Sequence, residues 1–373
     1  LLLAATGTTA YWPTLATAAW SDMEAACAFW GAFIREAWGG PLPAAGPVRP
    51  DTGREAAADE PAAAASRPGG AATRAGGDAA GTHPALAAGA RPLGLHLEGP
   101  FLNPRKPGAM RPEWMVPPDL DRLEALLARA AGTVRRVTLA PELPGALPLV
   151  QRLRALGIVV AAGHSEASYE QAEAALRAGV SLGNHVFNAM PALHHRDPGL
   201  VGAVMDLPFD AELIADGVHV HPVAMRILWR LKGSERLAVI SDAVAAALLP
   251  PGRYDLRAFV AEVRPDGTSR LPDGTLAGST ATMLRCLQVL VERVGVPWPE
   301  AARMVAAVPA RIAGVGERKG AIVPGYDADL FALDTGVDGG WRVVATWVEG
   351  VPVHGPERPL AVDALRNTTR RAD

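Results

Sequence analysis

This sequence predicts an α/β chain built on a parallel barrel of the (β/α)8 TIM type. Three observations predict it. Short β-branched or alternating apolar runs are followed, repeatedly, by amphipathic segments with helix punctuation. Carboxylates and histidines fall at or just beyond the C-terminal ends of those runs, where parallel barrels gather their active sites. No G-x-G-x-x-G or P-loop pattern opens a helix. A doubly wound open sheet would also collect ligands at its strand ends, but the nucleotide binding typical of that fold has little support.

In chain order, strands are expected over residues 10–14, 94–98, 137–141, 158–164, 182–187, 212–216 and 237–242. Helices are expected over 21–38, 120–130, 147–156, 168–178, 223–231, 281–294 and 300–313. Ser21 with Glu24, and Ser168 with Gln171, have the spacing of capping boxes, in which each side chain satisfies the other residue's backbone N–H. Gly157 and Gly179 stand where helices should stop.

At 373 residues and 49% hydrophobic, the chain can bury a large core. A net charge of −3 gives no reason to expect a nucleic-acid or anionic-membrane partner. Two distant cysteines, Cys27 and Cys286, argue for a reducing compartment, hence the cytoplasm, and against a disulfide framework. The apolar start "LLLAATGTTAYWPTL" has no basic flank or cleavage site and reads as domain interior; with no initiating Met, the chain reads as a fragment. Residues 40–92 are almost wholly Ala, Gly, Pro, Arg, Asp, Glu, Ser and Thr, a composition that cannot offset the entropy of ordering, so a disordered insertion is expected. The organisation read from this is 1–39 as the start of the barrel, 40–92 as the insertion, 93–317 as the remainder of the barrel, 318–358 as a small C-terminal unit and 359–373 as a tail.

Glu98 of "GLHLEGPF", Glu142, His164, His185, Asp216 with His219, and Asp242 all mark the ends of apolar runs. Two histidines and a carboxylate are the usual protein ligands of a catalytic zinc, with a fourth position for water. His164 and His185 are one helix plus connections apart, which places them at matching heights on consecutive strands. Singly, each has an ordinary explanation: a hydrogen-bonded core histidine, or a glutamate capping the next helix. Together, at equivalent positions, Glu98, His164 and His185 favour a metal site. Asp242 in "VISDA" is then the natural general base, its ordinary alternative being an N-cap; Glu142 is explained by a loop or helix-entry contact.

The stretches "GLHLEGPFLNP", "AGHSEASYEQAEAALRAGV", "NHVFNAMPALHHRDPGLVGAV", "IADGVHVHP", "VISDA", "DGTLAGSTATM" and "KGAIVPGYDADLFALD" resemble, in order, the motifs of the N-acetylglucosamine-6-phosphate deacetylase family of the amidohydrolase superfamily. The resemblance runs from Thr6 to about Pro352, the insertion excepted. It implies a barrel of the metal-dependent amidohydrolase kind with part of a small β-sandwich at the C-terminal end. It also implies that Glu98, His164 and His185 hold one divalent ion, zinc or iron, and that Asp242 accepts and returns a proton. Matching substrate-contacting positions are Ala109, Met110, Asn188, Ala189, Arg196, Asp216, His219, Leu276, Ala277 and Gly278. The implied reaction is hydrolysis of the acetamide of N-acetylglucosamine 6-phosphate to glucosamine 6-phosphate and acetate. Arg196 suits a phosphate by charge-assisted bonding and in the family comes from the neighbouring subunit, so a homodimer is expected.

The chain departs from the family pattern in three places. Met110 replaces a histidine that helps polarise the substrate carbonyl, and a thioether cannot donate a hydrogen bond. Val308 stands where the family has asparagine. Upstream of Leu1 the first half of the sandwich and the first strand, which can carry a further ligand pair for a second ion, have no counterpart. Seven strands are expected where closure takes eight, so edges near Tyr11 and Val239 would be open and the isolated chain would have low stability. Two other readings stay open: deacetylation of another amino-sugar phosphate such as N-acetylgalactosamine 6-phosphate, and a non-catalytic relic retaining sugar-phosphate binding.

Overall fold

Seven parallel strands pair in strict chain order: β1 (Thr14–Ala16), β2 (Leu95–Glu98), β3 (Val134–Leu139), β4 (Val159–Ala162), β5 (Leu182–Gly183), β6 (Asp210–Ile214) and β7 (Leu237–Ile240). The computed structural model describes residues 2–42, 89–336 and 340–356. Among these residues β1 and β7 end the sheet and do not pair with each other. The sheet is strongly curled, because side chains of β3 and β6 touch across its concave face: Arg136 is ion-paired with Glu212. Three flat strand spacings would hold them about 14 Å apart.

Helices pack on the convex face: α1 (Trp20–Trp38), α2 (Leu120–Ala130), α3 (Ala146–Ala155), α4 (Tyr169–Ala178), α5 (Gly199–Asp206), α6 (Pro222–Lys232), α7 (Met283–Val289) and α8 (Trp298–Val305), whereas α9 (Ala307–Ile312) sets Val308 and Ile312 against the inward-facing Val159, Ala161, Leu182 and Ala238. Their apolar stripes make the core. Leu123, Leu126 and Ala130 of α2 are fully buried with Ile34 and Met23 of α1 and Leu97 of β2, while Arg129 points out. Truncating Leu126 to alanine there costs about 2–5 kcal/mol. Asp119 starts α2 by accepting the Arg122 N–H at 2.8 Å.

The expected capping box of Ser168 and Gln171 is formed at α4. The one expected at Ser21 and Glu24 is not: α1 begins at Trp20 with Ala19 as its cap and no side-chain capping bond. Trp20 lies under the Arg122 guanidinium, 5.1 Å from ring centroid to Cζ. The helix expected over 300–313 divides at Ala306, since Pro309 has no N–H to donate back to the preceding turn.

Two small antiparallel sheets accompany the barrel. One joins Gly252–Asp255, Val260–Val263 and Ser269–Arg270; the other joins Leu330–Asp334, Arg342–Val348 and Val351–His354. The short helix Leu2–Ala5 packs on the second, Ala4 against Val348 and Val353, with Thr346 Oγ1 donating to Ala4 O at 2.7 Å. Most of the 40–92 stretch, residues 43–88, and the tail from 357 lie outside the described residues. The far end of that stretch is a strand, Arg91–Pro92, paired in parallel with Ala10–Tyr11. No helix among the described residues is long and apolar enough to cross a membrane.

Candidate active site

The period of two along β2 turns Leu95 and Leu97 into the hydrophobic core and His96 and Glu98 toward the concave interior. Glu98 is the last residue of its strand. His164, His185, Asp216 and Asp242 each lie two residues beyond the end of β4, β5, β6 and β7 respectively. The strands expected to run through His164, His185 and Asp242 stop short because those three residues have left-handed backbone, with φ of 47°, 26° and 50°. Non-glycine residues held in this region concentrate at functional sites. The turn re-aims each side chain from its strand toward the strand-end face.

There the donors of three side chains meet. Glu98 Oε1 lies 3.1 Å from His185 Nε2 and 3.3 Å from His164 Nε2, and the two Nε2 atoms are 3.1 Å apart. His164 Nδ1 donates to the Lys106 carbonyl at 2.8 Å, which leaves a lone pair on Nε2 in the neutral ring. His185 Nδ1 is buried with no hydrogen-bond partner. Burial works to raise the Glu98 carboxyl, but hydrogen bonds with His164 and His185 hold it well below the usual carboxylate range. Burial works to lower the His185 imidazole, and the Glu98 carboxylate outweighs it and raises it.

These distances test the fit of a cation. A tetrahedral site with zinc bonds of 2.0–2.2 Å has edges of about 3.3–3.6 Å. The Glu98, His164 and His185 donors already stand at almost that spacing, so the residues present fit a divalent ion.

Asp242 is half-buried beside the triad. Burial pushes its carboxyl above the usual range, and the Glu98 carboxylate pushes the same way. Its carbonyl accepts the Ser279 N–H at 2.9 Å, which ties β7 to the segment Leu276, Ala277 and Gly278. Gly278, at φ 60°, permits that approach: a Cβ there would stand 2.6 Å from Val244 Cγ1 and 3.0 Å from the Asp242 carbonyl oxygen.

A cavity of about 330 Å³, lined by Asp216, His219, Leu276, Gly278, Ser279 and Arg285 among others, adjoins Asp242 through Gly278 and Ser279. Asp216 Oδ1 accepts from the backbone of Val218 and His219, and its Oδ2 from His219 Nδ1 at 2.6 Å. Burial raises this carboxyl, but the His219 hydrogen bond and the backbone N–H groups leave it below its ordinary value. His219 Nε2 is left free of this bond.

The other expected contact positions are more scattered. Asn188 Nδ2 donates to His185 O at 3.2 Å, and Ala189 O accepts the Ser165 N–H at 3.2 Å, so both brace the turn carrying His185. Ala277 is buried, exchanging bonds with Ser269. Arg196 is exposed, 2.8 Å from His195 Nε2. Ala109 is half-buried, while Met110 packs with Leu102 and Met115 and takes the Thr17 N–H on its sulfur at 3.3 Å.

Sequence reading missed a polar floor beneath the triad: His96, Arg136, Asn184 and Glu212, all buried. The available signal was a charge inside an apolar run, Arg136 in "VRRVTL" and Glu212 in "DAELI". Glu142 proves to be a loop contact, as expected: it accepts Asn103 Nδ2 at 2.8 Å, the Glu166 N–H at 2.7 Å and Ser165 Oγ at 2.7 Å.

Comparison with known proteins identifies the family. The pattern of the Amidohydrolase family matches residues 50–353. The chain is 40% identical over 263 residues to an N-acetylgalactosamine-6-phosphate deacetylase of Escherichia coli O157:H7, covering 70% of this chain and 68% of that protein. It is 38% identical over 248 residues to an N-acetylglucosamine-6-phosphate deacetylase of Bacillus subtilis (strain 168), covering 66% of this chain and 62% of that one, so the match spans less than two thirds of the Bacillus protein. The structure of a point mutant of N-acetyl-D-glucosamine-6-phosphate deacetylase from Mycobacterium smegmatis, in complex with N-acetyl-D-glucosamine 6-phosphate, superposes with a TM-score of 0.75 at 32% identity, covering 94% of this chain and 78% of that one. A curled parallel sheet, a carboxylate and two histidines at its strand ends, and a family match over most of the length lead to one conclusion: the chain belongs to the metal-dependent amidohydrolase family.

Proposed function

We propose that this chain hydrolyses the acetamide of N-acetylglucosamine 6-phosphate, giving glucosamine 6-phosphate and acetate. The observation that carries the reading is the meeting of Glu98, His164 and His185 within 3.3 Å of one another, with Asp242 beside them and a cavity alongside. Glu98, His164 and His185 would hold a divalent cation, zinc or iron, which when bound would supply Lewis acidity toward an acyl oxygen and acidify a water molecule. Asp242 takes a proton from the attacking water and returns it to the departing amine. A carboxyl raised by burial is a stronger base than an ordinary one, which suits both transfers. No side chain needs to form a covalent bond to the substrate.

His219, held by Asp216, presents Nε2 to a sugar hydroxyl in the cavity that Leu276 and Gly278 also line. Asn188 and Ala189 keep the His185 turn in place beside the bound sugar. The exposed Arg196 serves the 6-phosphate of a neighbouring subunit in a homodimer. With Met110 turned into the core, residue 110 offers the acyl oxygen no hydrogen-bond donor.

The test is acetate release from N-acetylglucosamine 6-phosphate by the zinc-loaded protein, expected to vanish in Asp242→Asn and in His185→Ala. Turnover that survives either change would overturn the assignment. The 40% identity to an N-acetylgalactosamine-6-phosphate deacetylase favours a second reading in which the galacto epimer is the substrate. Comparing kcat/KM for the two 6-phosphates decides between them.

A further inference from the structure

Beneath the triad a buried row of polar side chains crosses the concave face of the sheet. Arg136 of β3 is ion-paired through both terminal nitrogens to Glu212 of β6, with Nη2 to Oε2 at 2.6 Å. The same Nη2 is hydrogen-bonded to Asn184 Oδ1, and Asn184 Nδ2 donates to Glu98 Oε1 at 3.0 Å. Arg136, Glu212 and Asn184 are each at most 4% exposed. A charged row in the interior of a parallel sheet is expensive unless every member is paired, and a buried ion pair by itself adds little stability. Its retention at this place therefore calls for a role.

The chemistry of the row fixes which way the Asn184 amide points. A guanidinium only donates and an ionised carboxylate only accepts, so Oδ1 faces Arg136 and Nδ2 faces Glu98. The Glu212 fork holds the guanidinium in plane, and the guanidinium in turn holds the amide. At the far end, Glu98 Oε1 is the same oxygen that stands 3.1 Å from His185 Nε2 and 3.3 Å from His164 Nε2. Asn184 occupies one lone-pair direction of that oxygen and leaves the other toward the histidines. Gly163, next to His164, makes room for this arrangement: a Cβ there would lie 2.7 Å from Asn184 Cβ and 3.1 Å from its Nδ2.

We infer that Asn184, clamped by the Arg136–Glu212 pair, is a positioning residue that holds the Glu98 carboxylate in the orientation needed to bind the cation. This rests on the metal reading above. Outer partners of metal ligands commonly set affinity by 10–100-fold.

The experiment measures zinc affinity by competition with a chromophoric chelator, and the visible absorption of the cobalt-substituted protein, for the wild type, Asn184→Ala, Asn184→Ser and Arg136→Lys. The inference expects Asn184→Ala to bind zinc about 10–100-fold more weakly and to shift the cobalt bands, with Asn184→Ser moving the same way by a smaller amount and guarding against a folding failure of the alanine variant. Arg136→Lys, which keeps the charge but loses the planar fork, should weaken zinc binding too. Its effect should largely disappear when added to Asn184→Ala, because both act through one bond; a purely structural role predicts independent, additive effects. Wild-type zinc affinity and an unchanged cobalt spectrum in a folded Asn184 variant would overturn the inference while His185→Ala still loses zinc. Zinc binding that is also unaffected by His185→Ala would instead remove the metal reading on which it stands.

Discussion

His164 Nε2 and His185 Nε2 face one another at 3.1 Å, although His164 already commits its Nδ1 proton to the Lys106 carbonyl. Without a cation, two imidazoles and a carboxylate must share protons in a buried space; with one, all three lone pairs find a common acceptor. Zinc should therefore raise the thermal midpoint of the chelator-stripped protein in proportion to the logarithm of its concentration. The gain should approach about 4 kcal/mol at a thousandfold excess over Kd. Calorimetry with and without zinc measures this, and a midpoint indifferent to zinc would contradict it.

Asp242→Asn separates stability from turnover. The carboxyl of Asp242 is raised in the fold by burial and then by Glu98. As pH rises from the ordinary carboxylate range toward that raised value, the folded state must bury a charge that the unfolded chain carries freely, so a cost is present at neutral pH. It disappears as pH falls below the ordinary carboxylate range, where both states are protonated. The metal-free asparagine variant is therefore expected to melt higher than the metal-free wild type at pH 7, with the difference closing toward pH 4. Its acetate release should fall by at least about 10²–10⁴-fold. Melting curves across pH, paired with a single rate assay, check both halves.

Much of this site could be read from residue order because a strand end is a position that sequence patterns mark well. Glu98, His164, His185 and Asp242 each follow an apolar run. Turning the last three away from their strands takes left-handed backbone, which no residue there advertises as a glycine would. The Arg136–Glu212 pair was hidden for a different reason: in a curled parallel sheet the concave face is interior, yet an inward charge has the same alternation as an exposed one. The helix α5, "GLVGAVMD", was missed because it is short, glycine-containing and apolar nearly all round, without an amphipathic period.

Lys232 offers a test of stability away from the chemistry. It ends α6 with Nζ donating to the Leu207 carbonyl at 2.8 Å, and burial lowers its ammonium to about 8. The unfolded chain holds this proton to roughly pH 10.4. Between these values the unfolded state binds more protons, so the contribution of Lys232 to stability rises with pH from about 8 upward. Lys232→Met gives up the bond to the Leu207 carbonyl together with the buried charge, and its stability relative to the wild type should be about 1–2 kcal/mol more favourable at pH 7 than at pH 10, less than full linkage because the ammonium keeps part of its solvation. Urea titrations at the two pH values measure the difference, and an equal gap at both would reject this account.

Glu142 joins three strand-end loops by accepting from Asn103, Ser165 and the backbone of Glu166. Asn103 and Ser165 flank His164, since the Asn103 N–H donates to the His164 carbonyl at 3.0 Å. Removing the carboxylate in Glu142→Ala strands those donors and should cost about 2–4 kcal/mol, as expected for lost bonds to a charged acceptor. Glutamine is a different matter. Its Oε1 can keep accepting from Asn103 and Glu166, and its amide can donate to Ser165 Oγ, at the expense of the bond in which that hydroxyl now donates to Glu142. Glu142→Gln, which keeps two of the three bonds, is therefore expected to cost clearly less than Glu142→Ala and to bind zinc normally, because what the site requires of residue 142 is hydrogen-bond geometry and not charge. Denaturant unfolding and zinc titration of the two variants measure both effects; equal damage from glutamine and alanine would show that the negative charge itself is what the loops need.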